Sequence, residues 1–512
     1  MSSRDLPARP HLDHLKHEAK ALQKAFDAGE ANAIQRVHDA IGHTPALKLT
    51  DAQRVVAREY GFPTWARLRD HVRASRTLGE AVDAFLAAVE AQDATRALAV
   101  LRAQPRIARE SLHVAAVLGL TDVAARLIAE DPSRVTARAG DSPAEPLLFL
   151  CYSPFHGESD ARDAGLLATA HLLLTAGADP NARDARHGVP ALYAVTGVRS
   201  VLPIARLLLD AGANPTDGES VFHAAEHFHE DALELLLSAG ADLNVTGEWG
   251  NTPLSFLLRW WDVEREPRVR QGMLWLLNHG ADPNVLCAEE RESALHVAVR
   301  RGQSAAVIRL LISRGADVNA RRGDGSTAWL LARRGGFDEI ASLLEEMGAK
   351  TQVLSATDLL VAACGRGDVE AARRLASPDV LASLSPADHR LLPDSAASGR
   401  EATVAACVAA GFPVNTTDAT GATALHYSAI HGKVQQLRSL LGGGAATDIR
   451  DRQHSSTPLG WASFGADFVA DADGDYEGCV RALLDAGARP LADEHQPKHE
   501  GVRRVLQQRR DG

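Results

Sequence analysis

The stretch Leu235-Leu-Leu-Ser-Ala-Gly-Ala-Asp-Leu-Asn244 holds the phrase that organises the chain: three leucines, two residues, then Gly-Ala-Asp-x-Asn. The Gly-Ala-Asp-x-Asn turn stands intact at Gly177, Gly240, Gly280 and Gly315, and worn copies begin at Gly212, Gly348, Gly411, Gly444 and Gly487. The spacing of these glycines resolves to a period near 33 residues, with small insertions in some units. A fixed period of that length is the mark of a repeat architecture, in which one unit cannot bury its own apolar face and neighbours must stack.

A second phrase lies between successive glycines. It reads Thr252-Pro-Leu-Ser, Ser293-Ala-Leu-His, Thr327-Ala-Trp-Leu, Thr423-Ala-Leu-His and Thr457-Pro-Leu-Gly, with looser copies at Ser111 and Ser220. Thr or Ser caps a first helix, and Pro fits the first helical turn, where its missing N–H costs nothing. Leu enters the core, and the leucine triplet gives a second helix its apolar face. Gly then closes that helix in the left-handed conformation, where a Cβ would be penalised. Asp and Asn shape the turn that follows through side-chain bonds to the backbone.

Period and phrases together resemble the ankyrin repeat over residues 78–493. The resemblance implies an all-α solenoid of about twelve helix-turn-helix units behind an N-terminal helical cap. Insertions are expected at residues 157–163, 260–269 and 464–477, and a bend or break near 350–390, where Pro378, Pro386 and Pro393 interrupt the pattern. The expected divisions are a leader at 1–76, a first block of repeats at 77–350, a second at 351–493 and a helical tail at 494–512.

Residues 10–75 lie outside the repeat and read as four helices, 11–28, 32–41, 50–60 and 63–74. The run Asp51-Ala-Gln-Arg-Val-Val-Ala-Arg-Glu-Tyr-Gly-Phe-Pro-Thr-Trp65 resembles a helical leader found before bacterial ankyrin arrays. A cap over the first repeat is one reading of it. The other is a domain carrying its own activity, targeted by the array.

Composition limits the function. The chain of 512 residues is 45% hydrophobic but only 5% aromatic, so burial rests on many aliphatic contacts, as stacked short helices need. A formal charge of −11 argues against a general nucleic-acid binder, which needs a surplus of Lys and Arg. Five scattered cysteines without a C-x-x-C pair fit neither a disulfide framework nor a zinc site. The opening residues carry no apolar run and no segment approaches 18 apolar residues, so neither a secretory signal nor a membrane span is expected. Cytoplasmic location is the default; Arg over Lys and abundant Ala point to a bacterial source.

Three constellations look like chemistry. His223-Ala-Ala-Glu226-His227 matches an inverted zinc-peptidase signature, yet His223 falls on the repeat's own histidine position, where the family uses it to bond the backbone of adjacent repeats. His11, His14 and His17 recur at steps of three on what reads as a solvated helix face. Asp471-Ala-Asp473-Gly-Asp475-Tyr-Glu477 is similar to a calcium loop but places its Gly fourth rather than sixth. No catalytic residue, metal site or cofactor is assigned, and the chain reads as a non-catalytic scaffold.

The resemblance further implies a concave binding surface formed by turn tips and first helices. Carried over residue by residue, it includes Thr246, Glu248, Trp249, Arg259, Trp260, Arg300, Arg301, Arg321, Arg322, Asp324 and Arg334. Tryptophan and arginine dominate binding hot spots. Residues 291–334 hold nine Arg against Glu292, Asp317 and Asp324, a basic stretch in an acidic protein. Two readings stay open: contact with a partner protein bearing an acidic surface, or simple solvation of the array. A monomer without nucleic-acid or membrane partners is expected.

Overall fold

The computed structural model describes residues 4, 12–140, 143–185, 187–247, 250–287, 290–418, 420–489 and 497–510. The chain divides into two compact units, Met1–Asp242 and Leu243–Gly512. Among the described residues every regular element is helical, and the β pairing is confined to isolated bridges such as Cys287 with Glu292 and Arg321 with Thr327. These bridges close the short fingers between one repeat and the next.

The first unit opens with helices Leu12–Asp27, Ala31–Ile41 and Leu49–Glu59, packed on Leu15, Leu22, Val37, Val55, Val56 and Leu68. A bidentate pair from Arg36 to Glu59, at 2.9 and 2.8 Å, ties the second helix to the third. The fourth leader helix does not stop where the sequence predicts. A single helix runs Trp65–Glu90, so the expected leader–repeat division at 76/77 lies inside it. No proline or glycine pair interrupts the stretch, and Thr64 caps its start by accepting from the Arg67 N–H at 3.2 Å.

Among the described residues helix pairs follow, five within the first unit and seven within the second, against an expectation of about twelve. One device ends nearly every second helix. All nine glycines of the turn phrase have positive φ, from 85° at Gly411 to 100° at Gly280. The residue after each glycine donates its N–H to the carbonyl five residues back, as Ala241 does to Leu236 and Ala316 to Leu311, both at 3.0 Å. This is the Schellman closure, in which the accepting residue belongs to the apolar face. Leu173, Leu208, Leu236, Leu276, Leu311, Leu344, Leu440 and Leu483 occupy that accepting position, all with no exposed surface, and Cys407 replaces leucine in the remaining copy. Each such leucine contributes about 1.5–3 kcal/mol by burial. One residue thus serves both the core and the turn.

Asp and Asn divide the turn between them. The Asp carboxylate accepts from the N–H two residues on, as Asp317 does from Asn319 at 2.9 Å, and so shapes its own loop. The Asn instead reaches the next repeat. Asn284 donates to the Gly315 carbonyl and accepts from the Asp317 N–H, both at 2.8 Å, and Asn319 does the same with Gly348 and Lys350. Sequence reading placed both side chains within one turn; the Asn bonds make a ladder between turns.

The insertions appear where expected. The third pair separates Pro146–Cys151 from a long Asp160–Thr175, the sixth joins Pro253–Trp260 to Pro267–Asn278, and the last carries a π-helical turn Gly465–Val469 before Tyr476–Asp485. At the expected seam, two short helices, Pro378–Ala382 and Pro386–His389, stand between Val369–Leu375 and Leu391–Ala397. Both start with Pro behind a capping Ser.

An arginine-rich face in the second unit

The proposed binding residues fall into different environments. Thr246 and Arg321 are exposed, and Trp260, at the end of its helix, is 57% exposed with Trp261 beside it at 36%. Glu248 and Trp249 lie outside the described residues. The arginines separate sharply.

Glu292 is 1% exposed, fixed by the finger in which its N–H and carbonyl bond those of Cys287. Arg300 stands two helical turns later and returns to Glu292 with a fork of two bonds, Nε to Oε1 at 2.9 Å and Nη2 to Oε2 at 2.8 Å. Arg322, itself only 8% exposed, adds Nη1 to Oε1 at 2.8 Å from the next finger, and Arg259 brings a third guanidinium to 3.6 Å. Burial alone would raise the Glu292 pKa; the three arginines outweigh it and bring it down to about 2. Arg300 and Arg322, expected in an open basic stretch, therefore belong to an internal ion cluster.

Arg334 is engaged across the seam. Its Nε donates to Asp358 at 2.6 Å and its Nη1 to Asp388 at 2.8 Å. Asp358 and Asp388 also cap their own helices in reciprocal boxes with Ser355 and Ser385. Arg300 comes within 3.7 Å of Asp394, and Arg390 pairs with Glu290 a hundred residues earlier. Asp388, Arg390 and Asp394 are the residues that sequence reading missed. Their positions after Pro386 carried no repeat signal.

The residues facing this seam enclose a cleft of about 110 Å³. Arg301 and Arg400 line it, as do Leu331, Val361, Leu391 and Ser395. Arg400 donates to the carbonyls of Gly335 and Gly365 at 2.7 and 2.5 Å and lies over the Phe337 ring, 4.7 Å from its centre.

The histidines and carboxylates of the other constellations lie in several different environments. His296 accepts from the Ser293 N–H at Nδ1, which puts its proton on Nε2, 3.1 Å from the Ala320 carbonyl; His426 repeats this with Thr423 and Ser456. Burial lowers the pKa of both rings, so they are neutral wedges between backbones. His223 differs from the role expected of it. Its Nδ1 lies 2.6 Å from Glu226 and its Nε2 3.3 Å from Glu219. Burial pulls its pKa down, but the two carboxylates raise it to about 9. The local cause is Ser220, whose hydroxyl donates to Asp217 at 2.5 Å instead of holding the ring. Asp475 caps its helix and Asp471 pairs with Lys433 at 3.3 Å, so the calcium-like loop has structural employment. His14 and His17 are exposed, and His11 lies outside the described residues. Among the described residues no group of three His, Cys, Asp or Glu side chains is arranged to hold a metal ion. No described helix is long and apolar enough to cross a membrane.

Family models described as "Ankyrin repeats (3 copies)" and "Ankyrin repeats (many copies)" match residues 269–355 and residues 221–264 with 394–441, respectively. The ankyrin repeat domain-containing protein SAT10 of Stachybotrys chartarum is 29% identical over 291 residues, 55% of this chain and 14% of that one. The human ankyrin repeat and SOCS box protein 16 is 34% identical over 142 residues, 27% of this chain and 30% of that one. The chain thus spans less than a third of the length of either relative. The solved ankyrin repeat domain of human ASB11 covers 48% of this chain and 100% of its own, at 22% identity and a TM-score of 0.35. Residues 221–264, 269–355 and 394–441 are thus ankyrin repeats, and their helix pairs carry glycine closures and rungs of the asparagine ladder.

Proposed function

We propose that the chain is a non-catalytic scaffold that captures a partner protein on the first-helix and finger face between Thr246 and Arg334. One observation carries the reading: Trp260 stands 57% exposed at the end of a first helix, in a chain with few aromatics. With Trp261 beside it at 36%, it makes an exposed aromatic patch, and Trp is enriched among the residues that anchor protein interfaces. Exposed Arg321 lies on the same run of fingers and provides a charge for an acidic partner surface. In this reading the protein works as a cytoplasmic monomer and needs neither nucleic acid, membrane nor cofactor.

The test is affinity capture from native lysate with the full chain and with the double variant Trp260→Ser, Arg321→Glu. Specific partners should be lost from the variant while its unfolding midpoint stays unchanged. An identical set of captured proteins would remove this face from the account.

A further inference from the structure

The cleft at the seam of the second unit sorts its charges unevenly. Arg300 and Arg322 are held by Glu292, and Arg334 by Asp358 and Asp388. Arg400 meets only carbonyl oxygens and the Phe337 ring, and among the described residues the Arg301 side chain has no hydrogen bond or ion pair. Both are half-buried, and burial lowers the pKa of each; at Arg301 repulsion from Arg300 adds to this and attraction from Asp394 opposes it. Ser395 is a third incomplete group: it lines the cleft at 2% exposure, and its hydroxyl has no partner. The cleft thus holds a half-buried guanidinium with no counter-charge at hydrogen-bond distance beside a buried hydroxyl with no partner, donors that an acceptor from outside could complete.

We propose that this cleft receives one carboxylate side chain of an acidic partner peptide, held by Arg301 and Arg400, with the Ser395 hydroxyl donating to it. This deepens the scaffold reading and rests on it. A volume of about 110 Å³ is far below the roughly 300–1,000 Å³ of small-molecule sites, so a single side chain fits and a cofactor does not. Leu331, Val361 and Leu391 supply apolar wall for the aliphatic part of Glu and for a neighbouring apolar residue. Asp324, Asp388 and Asp394 share the same lining, so a doubly charged phosphate would meet about twice the repulsion that a singly charged carboxylate does. The planar guanidinium fork also matches a carboxylate.

The probe is a fluorescein-labelled nonapeptide of alternating Glu and Leu, titrated into the full chain and followed by anisotropy. The expected result is saturable binding that Arg301→Gln weakens about tenfold or more, as loss of a charge-assisted anchor should. Ser395→Ala should weaken it about threefold. Arg309→Gln, on a second helix away from the cleft, should bind as wild type. Unfolding midpoints of all variants are measured in parallel, and Arg301→Lys, which keeps the charge but loses the fork, should fall between wild type and Arg301→Gln. The proposal is overturned if the Glu peptide does not bind, if Arg301→Gln binds it as wild type does, or if a Gln-for-Glu peptide binds equally. It is overturned too if a phosphoserine-for-Glu peptide binds more tightly in an Arg301-dependent way, which would make the site a phosphate receptor. Lysate capture separates the two readings: partners kept by Arg301→Gln but lost by Trp260→Ser, Arg321→Glu remove the carboxylate pocket and leave the scaffold role standing.

Discussion

Glu292 and the cleft lined by the neighbouring Arg301 each gather arginines and treat them in different ways. Around Glu292 the guanidinium groups of Arg300 and Arg322 find a buried carboxylate with good geometry, and the result is a closed cluster. At the cleft, Arg301 and Arg400 are half-buried without a carboxylate in contact. Both places gather charge, but only the first holds a carboxylate at hydrogen-bond distance, and even there Arg259 Nε and Nη2 and Arg322 Nε have no hydrogen bond. Composition does not separate the two, since Arg300 and Arg301 are consecutive, as are Arg321 and Arg322. The position of each head group relative to Glu292 does.

The largest expected effect comes from breaking the closed side. Glu292→Ala leaves three guanidinium groups facing one another without a counter-charge, and unfolding of the full chain should become easier by about 3–5 kcal/mol. Urea midpoints followed by circular dichroism measure it, and a loss below about 1 kcal/mol would mean that solvent already screens the cluster.

Acid should open the same cluster next. The Glu292 pKa is about 2 in the fold against an ordinary value of 4.5. A depressed carboxylate stabilises the fold above its unfolded pKa, and that contribution is lost as pH falls from 4.5 through about 2. The shift corresponds to about 3 kcal/mol. Wild type should therefore lose more stability over this range than Glu292→Gln does, and parallel pH curves for the two proteins would contradict the assignment.

The histidines of the repeats sharpen the comparison at smaller amplitude. His223, between two carboxylates, is a satisfied charge with a pKa of about 9, so its contribution is complete below pH 6.5 and is lost as pH rises through 9. His426 is a neutral wedge with a lowered pKa; its contribution is present above 6.5 and fades as pH falls below that value. Substitution by Gln should cost about 1–2 kcal/mol at each site, for His223 at pH 6 but not at pH 10, and for His426 at pH 8 but less at pH 5. The same pH dependence at both sites would show that their surroundings are not what separates them.

The repeats were legible because each part of the unit is local. Cap, leucine face, glycine closure and turn lie within one period, and the same position four before the glycine is buried each time. The asparagine ladder was half legible: its residue type was plain, but its partner lies about 31 residues away, on the next turn. His223 could have been read correctly, because Glu219 and Glu226 stand four before and three after it on a helix, the spacing at which side chains meet. The arginine face was not legible residue by residue. Its partners Asp388 and Asp394 come from a segment where prolines erase the repeat signal, and only the fold at the seam carries them to Arg334 and Arg300.

The division of the arginines is tested most directly by single neutralisation, comparing urea midpoints of Arg300→Gln, Arg322→Gln and Arg301→Gln in the full chain. Arg300→Gln and Arg322→Gln should each lose about 2 kcal/mol or more, since each leaves Glu292 under-compensated. Arg301→Gln should lose less than about 0.5 kcal/mol, or gain stability, because its half-buried side chain has no hydrogen bond or ion pair to lose. Equal losses at all three positions, or a larger loss at Arg301, would contradict the distinction between a closed cluster and an open site.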